Sequence, residues 1–158
     1  MKIGKGTKIW YTANSNIHTS VQIGDNCVIH SHVWIGEGVK IGNNVKIQAF
    51  TFIPTGVIIE DNVFIGPRVT FTNDKNPPSG KANWKETIVR AGASIGASCT
   101  ILPGVEIGSG AKVGAASLVT RSISDNCLAY GSPAEVKVSA LSPAFNPEHP
   151  DHFRILIE

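Results

Sequence analysis

The sequence predicts an all-β chain wound as a parallel β-helix, with three short strands to each coil. Three observations predict it. The first is a six-residue period. Apolar residues stand at Ile3, Ile9, Ile17, Ile23, Ile29, Ile35, Ile41, Ile47, Ile53, Ile59, Ile65 and Phe71, and again at Val89, Ile95, Ile101, Ile107, Val113 and Val119. These positions absorb 14 of the 19 isoleucines, so chance is a poor explanation. The second is a smaller or β-branched residue four places after most of them, as at Val21, Cys27, Val33, Val45, Thr51, Val63, Ala93 and Ser117. The third is glycine directly after the Ile or Val, at Gly4, Gly24, Gly36, Gly42, Gly66, Gly96, Gly108 and Gly114.

A period of six does not fit the helical 3.6, and β-branched residues with dense glycine disfavour helix. Six does divide by the strand period of two. Three hexads then make one triangular coil of 18 residues, with two inward side chains per hexad. Stacked coils bury together what no single coil could bury alone. The 18 hexads give about six coils, a prism roughly 25–30 Å long at the usual strand spacing.

Taken in order, the chain departs from the period in few places. Ile9 to Ile17 is eight residues instead of six, which predicts a two-residue bulge near residues 13–16. The hexads then run unbroken to Phe71. If residues 71–74 begin a hexad and 87–88 end it, the twelve residues 75–86 (KNPPSGKANWKE) are extruded as a loop. Long loops on rigid scaffolds concentrate function. A second run of hexads ends at Val119. Residues 125–138 read as an irregular turn and strand that cap the prism. Residues 139–158, with Pro143, Pro147, Pro150 and an apolar run at 153–157, read as an extended tail ending in a short strand or docking segment. The predicted division is a β-helical domain over 1–138 and a tail over 139–158.

Composition narrows the function classes. Lys and Arg number 14 and Asp and Glu 12, a net charge of +2, which leaves no electrostatic footprint for nucleic acid. No apolar stretch reaches 18 residues, so no membrane span is expected, and the N-terminal residues lack the continuous apolar run of a secretory signal. Three well-separated cysteines argue against a disulfide framework and for a reducing compartment. Cys27 and Cys99 fall at small inward positions, as does Cys127 if the phase restarts at Ile123; all three are expected in the core. Only 16% of residues are charged, which predicts surface hidden in an oligomer.

Stacking by 18 identifies neighbours. Trp10, His30, Gln48 and Gly66 form one column. Trp34, Phe52 and Thr70 form another, as do His32, Phe50 and Arg68. Glu37, Thr55 and Asn73 form a further column that ends at the loop. Outward aromatics such as Trp34, Phe50 and Phe52 serve either an oligomer interface, the favoured reading, or a base-stacking platform. His30 and His32, two residues apart, are expected on one side of a strand, suited to hydrogen bonding with a substrate or partner. His18, and the tail residues His149 and His152, complete the histidines, and no metal site is expected among them.

The hexads, the break after FTND (71–74) and the closing GSPAEVK (131–137) together resemble the left-handed β-helix acyltransferases of the hexapeptide-repeat family. Residues 57–74 (VIIEDNVFIGPRVTFTND) and 87–120 are most similar to the branch that acetylates the 3-amino group of nucleotide-linked sugars. The resemblance implies an all-β left-handed parallel β-helix of about six coils with one extruded loop. It also implies a cytoplasmic homotrimer with active sites between neighbours, acetyl-CoA along the C-terminal coils and a nucleotide sugar (dTDP- or UDP-linked) nearer the N-terminal ones. Many relatives carry a catalytic His just before the loop; here Asn73 and Asp74 hold that place, as in the amino-sugar branch. They are the expected catalytic residues, orienting the sugar, with the start of an Asx turn as the alternative. His30, His32, Gln48, Thr55 and Arg68 are the expected substrate contacts. The cofactor contacts implied are Gly92, Ala97 and Ala115, where small side chains admit the pantetheine arm, and the cations Lys112, Arg121 and Lys137 for the phosphate. Glu135 stands where the family usually has Lys or Arg, which weakens that phosphate contact unless Lys137 substitutes. The function implied is acetyl-CoA-dependent N-acetylation of a nucleotide-linked amino sugar for surface polysaccharide. The alternatives are O-acetylation of a sugar or small alcohol, a zinc carbonic-anhydrase-like protein, or a non-catalytic scaffold.

Overall fold

The computed structural model describes residues 1–138; the tail reading for 139–158, with His149 and His152, lies outside the described residues. The chain is a left-handed parallel β-helix with three faces. Sheet A stacks Lys2–Ile3, Gln22–Ile23, Lys40–Ile41, Val57–Ile59, Thr87–Val89 and Glu106–Ile107. Sheet C stacks Asn16–Ile17, Trp34–Ile35, Phe52–Ile53, Thr70–Phe71, Thr100–Ile101 and Leu118–Val119. Sheet B runs from Lys8–Ile9 through Val28–Ile29, Lys46–Ile47, Phe64–Ile65, Ser94–Ile95 and Lys112–Val113, and ends in the pair Leu128–Gly131 and Ala134–Val138. The cap is therefore an antiparallel hairpin, two strands where the sequence predicts one.

Most strands are only two residues long: the first residue points out and the second in. The coils are held by backbone bonds between residues 18 apart, such as Gly24 N–H to Ile41 O at 2.8 Å and His30 N–H to Ile47 O at 2.9 Å. Register counts the insertions. Gln22 pairs with Lys40, a separation of 18, but Lys2 pairs with Gln22 across 20, and Val57 with Thr87 across 30. The two extra residues form a 3₁₀ turn at Thr12–Asn14, and the twelve extra ones are the predicted loop.

The core is the stack of inward residues. Ile29, Ile47, Ile53, Ile65, Ile95, Ile101 and Ile107 have no exposed surface, and Cys27, Cys99 and Cys127 are buried among them. Each fully buried aliphatic side chain contributes roughly 1.5–3 kcal/mol. Desolvation raises the thiols of Cys27 and Cys99, which suits packing and not nucleophilic chemistry.

The corners are left-handed turns, and two of the three use the residues that tolerate them. On the edge between sheets A and B, the residues with positive φ are Gly6, Asn26, Asn44, Asn62, Gly92, Gly110 and Asn126. Between sheets C and A they are Gly38, Gly56 and Gly104. The third edge, between B and C, differs and is taken up below.

One core position is chemically mismatched. Thr87 is fully buried, and its hydroxyl has no hydrogen-bond partner among the described residues. Val57 and Val105 flank it in the same column. Replacing an unsatisfied buried hydroxyl by a methyl of the same shape removes a desolvation penalty of about 1–3 kcal/mol. Thr87→Val is expected to raise the thermal midpoint by roughly 3 °C or more per kcal/mol gained, measured by calorimetry.

Candidate functional site

The residues singled out from sequence fall on different edges of the prism. His30, His32, Gln48, Phe50, Arg68, Ala97 and Ala115 line the edge between sheets B and C. Thr55, Asn73 and Asp74 lie on the edge between C and A, at the base of the loop. Sheet C, carrying Trp34, Phe52 and Thr70, separates the two groups. Gly92 is on the third edge, away from Ala97 and Ala115. With φ +72° it holds a left-handed corner that its column elsewhere fills with Asn or Gly, so the turn explains this glycine.

The B–C edge breaks the corner rule. Its residues with positive φ are His32 (59°), Phe50 (62°), Arg68 (59°), Ser98 (59°) and Ala116 (59°), with no Gly or Asn among them. A left-handed conformation costs a non-glycine residue roughly 1–2 kcal/mol, and such strain collects at functional sites. The chain thus keeps large side chains where glycine is easiest. Sequence reasoning did not find this edge, though its signal was present: three places after the Ile stand His32, Phe50 and Arg68, against Asn26, Asn44 and Asn62 on the A–B edge.

The columns predicted by 18-residue stacking are seen. His32 stacks on Phe50 with ring centroids 4.8 Å apart, and Trp34 on Phe52 at 4.7 Å. Trp34 lies so close over Gly36 that a Cβ there would meet the indole at 2.9 Å. His30 and His32 do not share a strand, contrary to expectation. The strand ends at Ile29, His30 is half-buried just after it, and His32 is exposed in the left-handed corner. The Nε2 of His32 lies 3.3 Å from Asn14 Nδ2.

The loop is folded onto its own base. Asp74 Oδ1 accepts from the Ser79 hydroxyl at 2.6 Å and from Asn76 N–H at 3.0 Å, while Oδ2 accepts from Ser79 N–H at 2.8 Å. This is the Asx-turn alternative realised. The Ser79 hydroxyl, then the Ser79 amide, hold the Asp74 carboxyl below the usual range. Asn73 donates from Nδ2 to Thr55 O at 3.1 Å and accepts from Lys85 N–H at 2.9 Å, joining both ends of the loop to the neighbouring coil. Lys81 pairs with Glu37 at 2.8 Å, one coil further along that column. Trp84 is partly exposed above this base.

Toward the C-terminal coils, Ala97 O accepts from Ala116 N–H at 2.8 Å. Lys112 stands on the outer face of sheet B, and partial burial pushes its ammonium below the ordinary lysine range. Arg121 lies beyond sheet C beside a groove of about 410 Å³ that Ala134 and Glu135 also line. Lys137 is held by Glu135 at 2.9 Å and sits 5.6 Å from the centre of the Tyr130 ring. The cation expected to replace the missing basic residue is thus paired with the very glutamate that replaced it. Among the described residues no three His, Cys, Asp or Glu side chains come together to hold a metal, and no helix is long and apolar enough to cross a membrane.

The bacterial transferase hexapeptide (six repeats) is matched over residues 38–73, and the hexapeptide repeat of succinyl-transferase over 13–35, 20–53 and 88–121. Together these segments span more than half of the chain. The chain belongs to the hexapeptide-repeat family. Within the family, it is 59% identical over 51 residues to the dTDP-3-amino-3,6-dideoxy-alpha-D-galactopyranose 3-N-acetyltransferase of Aneurinibacillus thermoaerophilus, over 32% of this chain and 27% of that one. It is 37% identical over 83 residues to the galactoside O-acetyltransferase of Lactococcus lactis, over 49% of this chain and 40% of that one. The chain thus matches well under half of either relative's length. Among solved structures, a variant of AntD, an N-acyltransferase from Bacillus cereus bound to dTDP and coenzyme A, superposes with a TM-score of 0.74 at 25% identity. That match covers 85% of this chain and 82% of AntD.

Two outcomes follow from this geometry. Arg68→Gly relieves a left-handed side chain and is expected to raise stability by about 1 kcal/mol, read by denaturant unfolding, while lowering acceptor affinity. Asp74→Ala is expected to open the loop: trypsin should cut at Lys75, Lys81 or Lys85 faster than in the parent, with the thermal midpoint little changed. Because the folded-state pKa of Asp74 is depressed, its hold on the loop is present at neutral pH and fades only as pH falls below the ordinary Asp value and through the folded one. The parent should therefore resist an acid-tolerant protease at the loop until strongly acidic pH.

Proposed function

We propose that this chain is an acetyl-CoA-dependent N-acetyltransferase acting on the amino group of a nucleotide diphosphate-linked sugar, working as a cytoplasmic homotrimer in surface polysaccharide assembly. The observation that carries the reading is the base of the loop. Asn73 and Asp74 stand there, and no histidine occurs between Phe71 and Arg90. The similarity to a dTDP-amino-sugar N-acetyltransferase and to a dTDP- and CoA-bound N-acyltransferase supports it.

Acetyl transfer requires a neutral amine near the thioester carbonyl and a donor for the developing oxyanion. The amine nitrogen attacks the carbonyl carbon, the C–S bond breaks, and the departing thiolate takes the amine's proton. A carboxylate held below its normal range is a weak base, so Asp74 is poorly suited to remove that proton itself. It is well suited to attract an ammonium and to fix the loop. Asn73 presents its amide beside it. Thr55 belongs to this acceptor side. His30, His32, Gln48 and Arg68, on the B–C edge, meet the loop of a neighbouring protomer in the trimer, where Phe50 and Phe52 pack between chains. Ala97, Ala115, Lys112, Arg121 and Lys137 flank the acyl donor.

An amine needs a protein base less than a hydroxyl does, which favours N- over O-acetylation. The similarity to a galactoside O-acetyltransferase keeps the second reading in view. The test follows thiol release from acetyl-CoA with a panel of dTDP- and UDP-3-amino sugars and with hydroxyl acceptors. Turnover with an amino sugar is expected; turnover with hydroxyl acceptors alone would move the assignment to O-acetylation. Asp74→Asn should reduce kcat modestly, and Asn73→Ala should raise KM for the sugar while leaving acetyl-CoA affinity nearly intact. A loss of about 10³-fold or more in His30→Ala or His32→Ala, the range general-base removal can cost, would instead place the base on the B–C edge.

A further inference from the structure

A groove of about 700 Å³ opens where the two-residue insertion meets sheet C, lined by Asn14, Ser15, Asn16, His32 and Trp34. Its floor is the end of an aromatic column. Trp34 stacks on Phe52 on one side. On its other side the next coil places Asn16, in register with Trp34 across the parallel pair. A short amide therefore stands where a third ring would continue the stack, and the indole is 38% exposed. Around this face are groups that both donate and accept. Asn14 Nδ2 lies against His32 Nε2. The Ser15 hydroxyl lines the groove, buried and without a hydrogen-bond partner among the described residues. A buried hydroxyl left unpaired costs free energy, so a ligand that reaches it is favoured by the bond it completes.

We propose that this groove binds the base of a nucleotide, resting on the reading of the substrate as a nucleotide-linked sugar and adding where in the chain its base is recognised. The base stacks on the open face of Trp34 as the next member of the Trp34–Phe52 column. The Asn14 and Asn16 amides and the Ser15 hydroxyl meet its polar edge. The ligand matches the site on three counts: a flat ring for an indole face, a donor–acceptor edge for amides that offer both, and a polar atom for the one unpaired hydroxyl. An aliphatic chain would leave the amides unpaired, and an inorganic anion would leave the indole uncovered.

The test measures binding of dTDP, UDP and GDP to the intact chain without acceptor sugar or CoA, by titration calorimetry, with inorganic pyrophosphate as the baseless control. At least one nucleoside diphosphate is expected to bind at least tenfold tighter than pyrophosphate. Trp34→Ala should weaken that binding about tenfold or more, as loss of base stacking does, Trp34→Phe should recover most of it, and pyrophosphate binding should not change. Ser15→Ala and Asn16→Asp should alter the order of preference among the three bases. Saturation-transfer NMR should place base protons closer to the protein than ribose protons. Equal affinity for pyrophosphate and the nucleotides, or nucleotide binding untouched in Trp34→Ala and Asn16→Asp, would overturn the proposal. Acetylation of amino sugars that persists with unchanged KM in Trp34→Ala overturns this site while leaving the proposed function standing. Nucleotide binding that follows the expected pattern in a chain that acetylates no amino sugar would leave the site standing and overturn the function.

Discussion

Every feature of this molecule depends on the hydrogen bond between one coil and the coil 18 residues away. A two-residue strand has no stability alone, and isolated coils bury too little to hold themselves. The ladder of N–H to carbonyl bonds, with the isoleucine columns inside it, converts a weak local preference into a rigid prism. Side chains add to the ladder where the corners allow. Asp25, Asn43 and Asp61 each accept from the backbone of the coil before, and Arg90 ties Glu60 to Glu106 across three coils.

A frame so uniform makes its exceptions informative. Two edges obey a simple rule, with glycine or asparagine in each left-handed corner, and one edge does not. There His32, Phe50 and Arg68 hold large side chains outward at the expense of backbone strain. The neighbouring face carries the Trp34–Phe52 stack, and the far edge carries the loop. Within one chain the acceptor-side residues at the loop and the histidines of the B–C edge stay apart. An arrangement in which they cooperate needs a second copy of the chain, which agrees with the exposed aromatic surface between them.

Much of this was legible in the sequence because the period is exact to the residue. The stacking columns, the buried cysteines and the length of both insertions follow from counting alone, and the pairings Lys2 with Gln22 and Val57 with Thr87 confirm the count. Misreadings came where the period does not speak. His30 and His32 were placed on one strand because alternation was carried past Ile29, where the chain turns the corner. Gly92 was read as room for a ligand, but backbone handedness accounts for it. The pairing of Lys137 with Glu135 was open to the strand rule, since residues two apart share a side, but it became visible only when both ends of the hairpin were in view. The inward turning of Asp74 onto Ser79 depends on the fold of the loop, which no repeat specifies.

The two insertions carry a consequence for how such molecules diversify. Two residues enter at one corner and twelve at another, and in both cases the next strand re-enters the stack at the same height, with its inward and outward faces preserved. A corner is therefore a splice point that accepts new chain of any length without a penalty to the rungs above and below it. Lengthening the body, by contrast, is possible only in units of a whole coil. Novelty in this architecture is thus acquired sideways, at its edges, and the extruded segment between Asp74 and Thr87 is an acquisition of that kind.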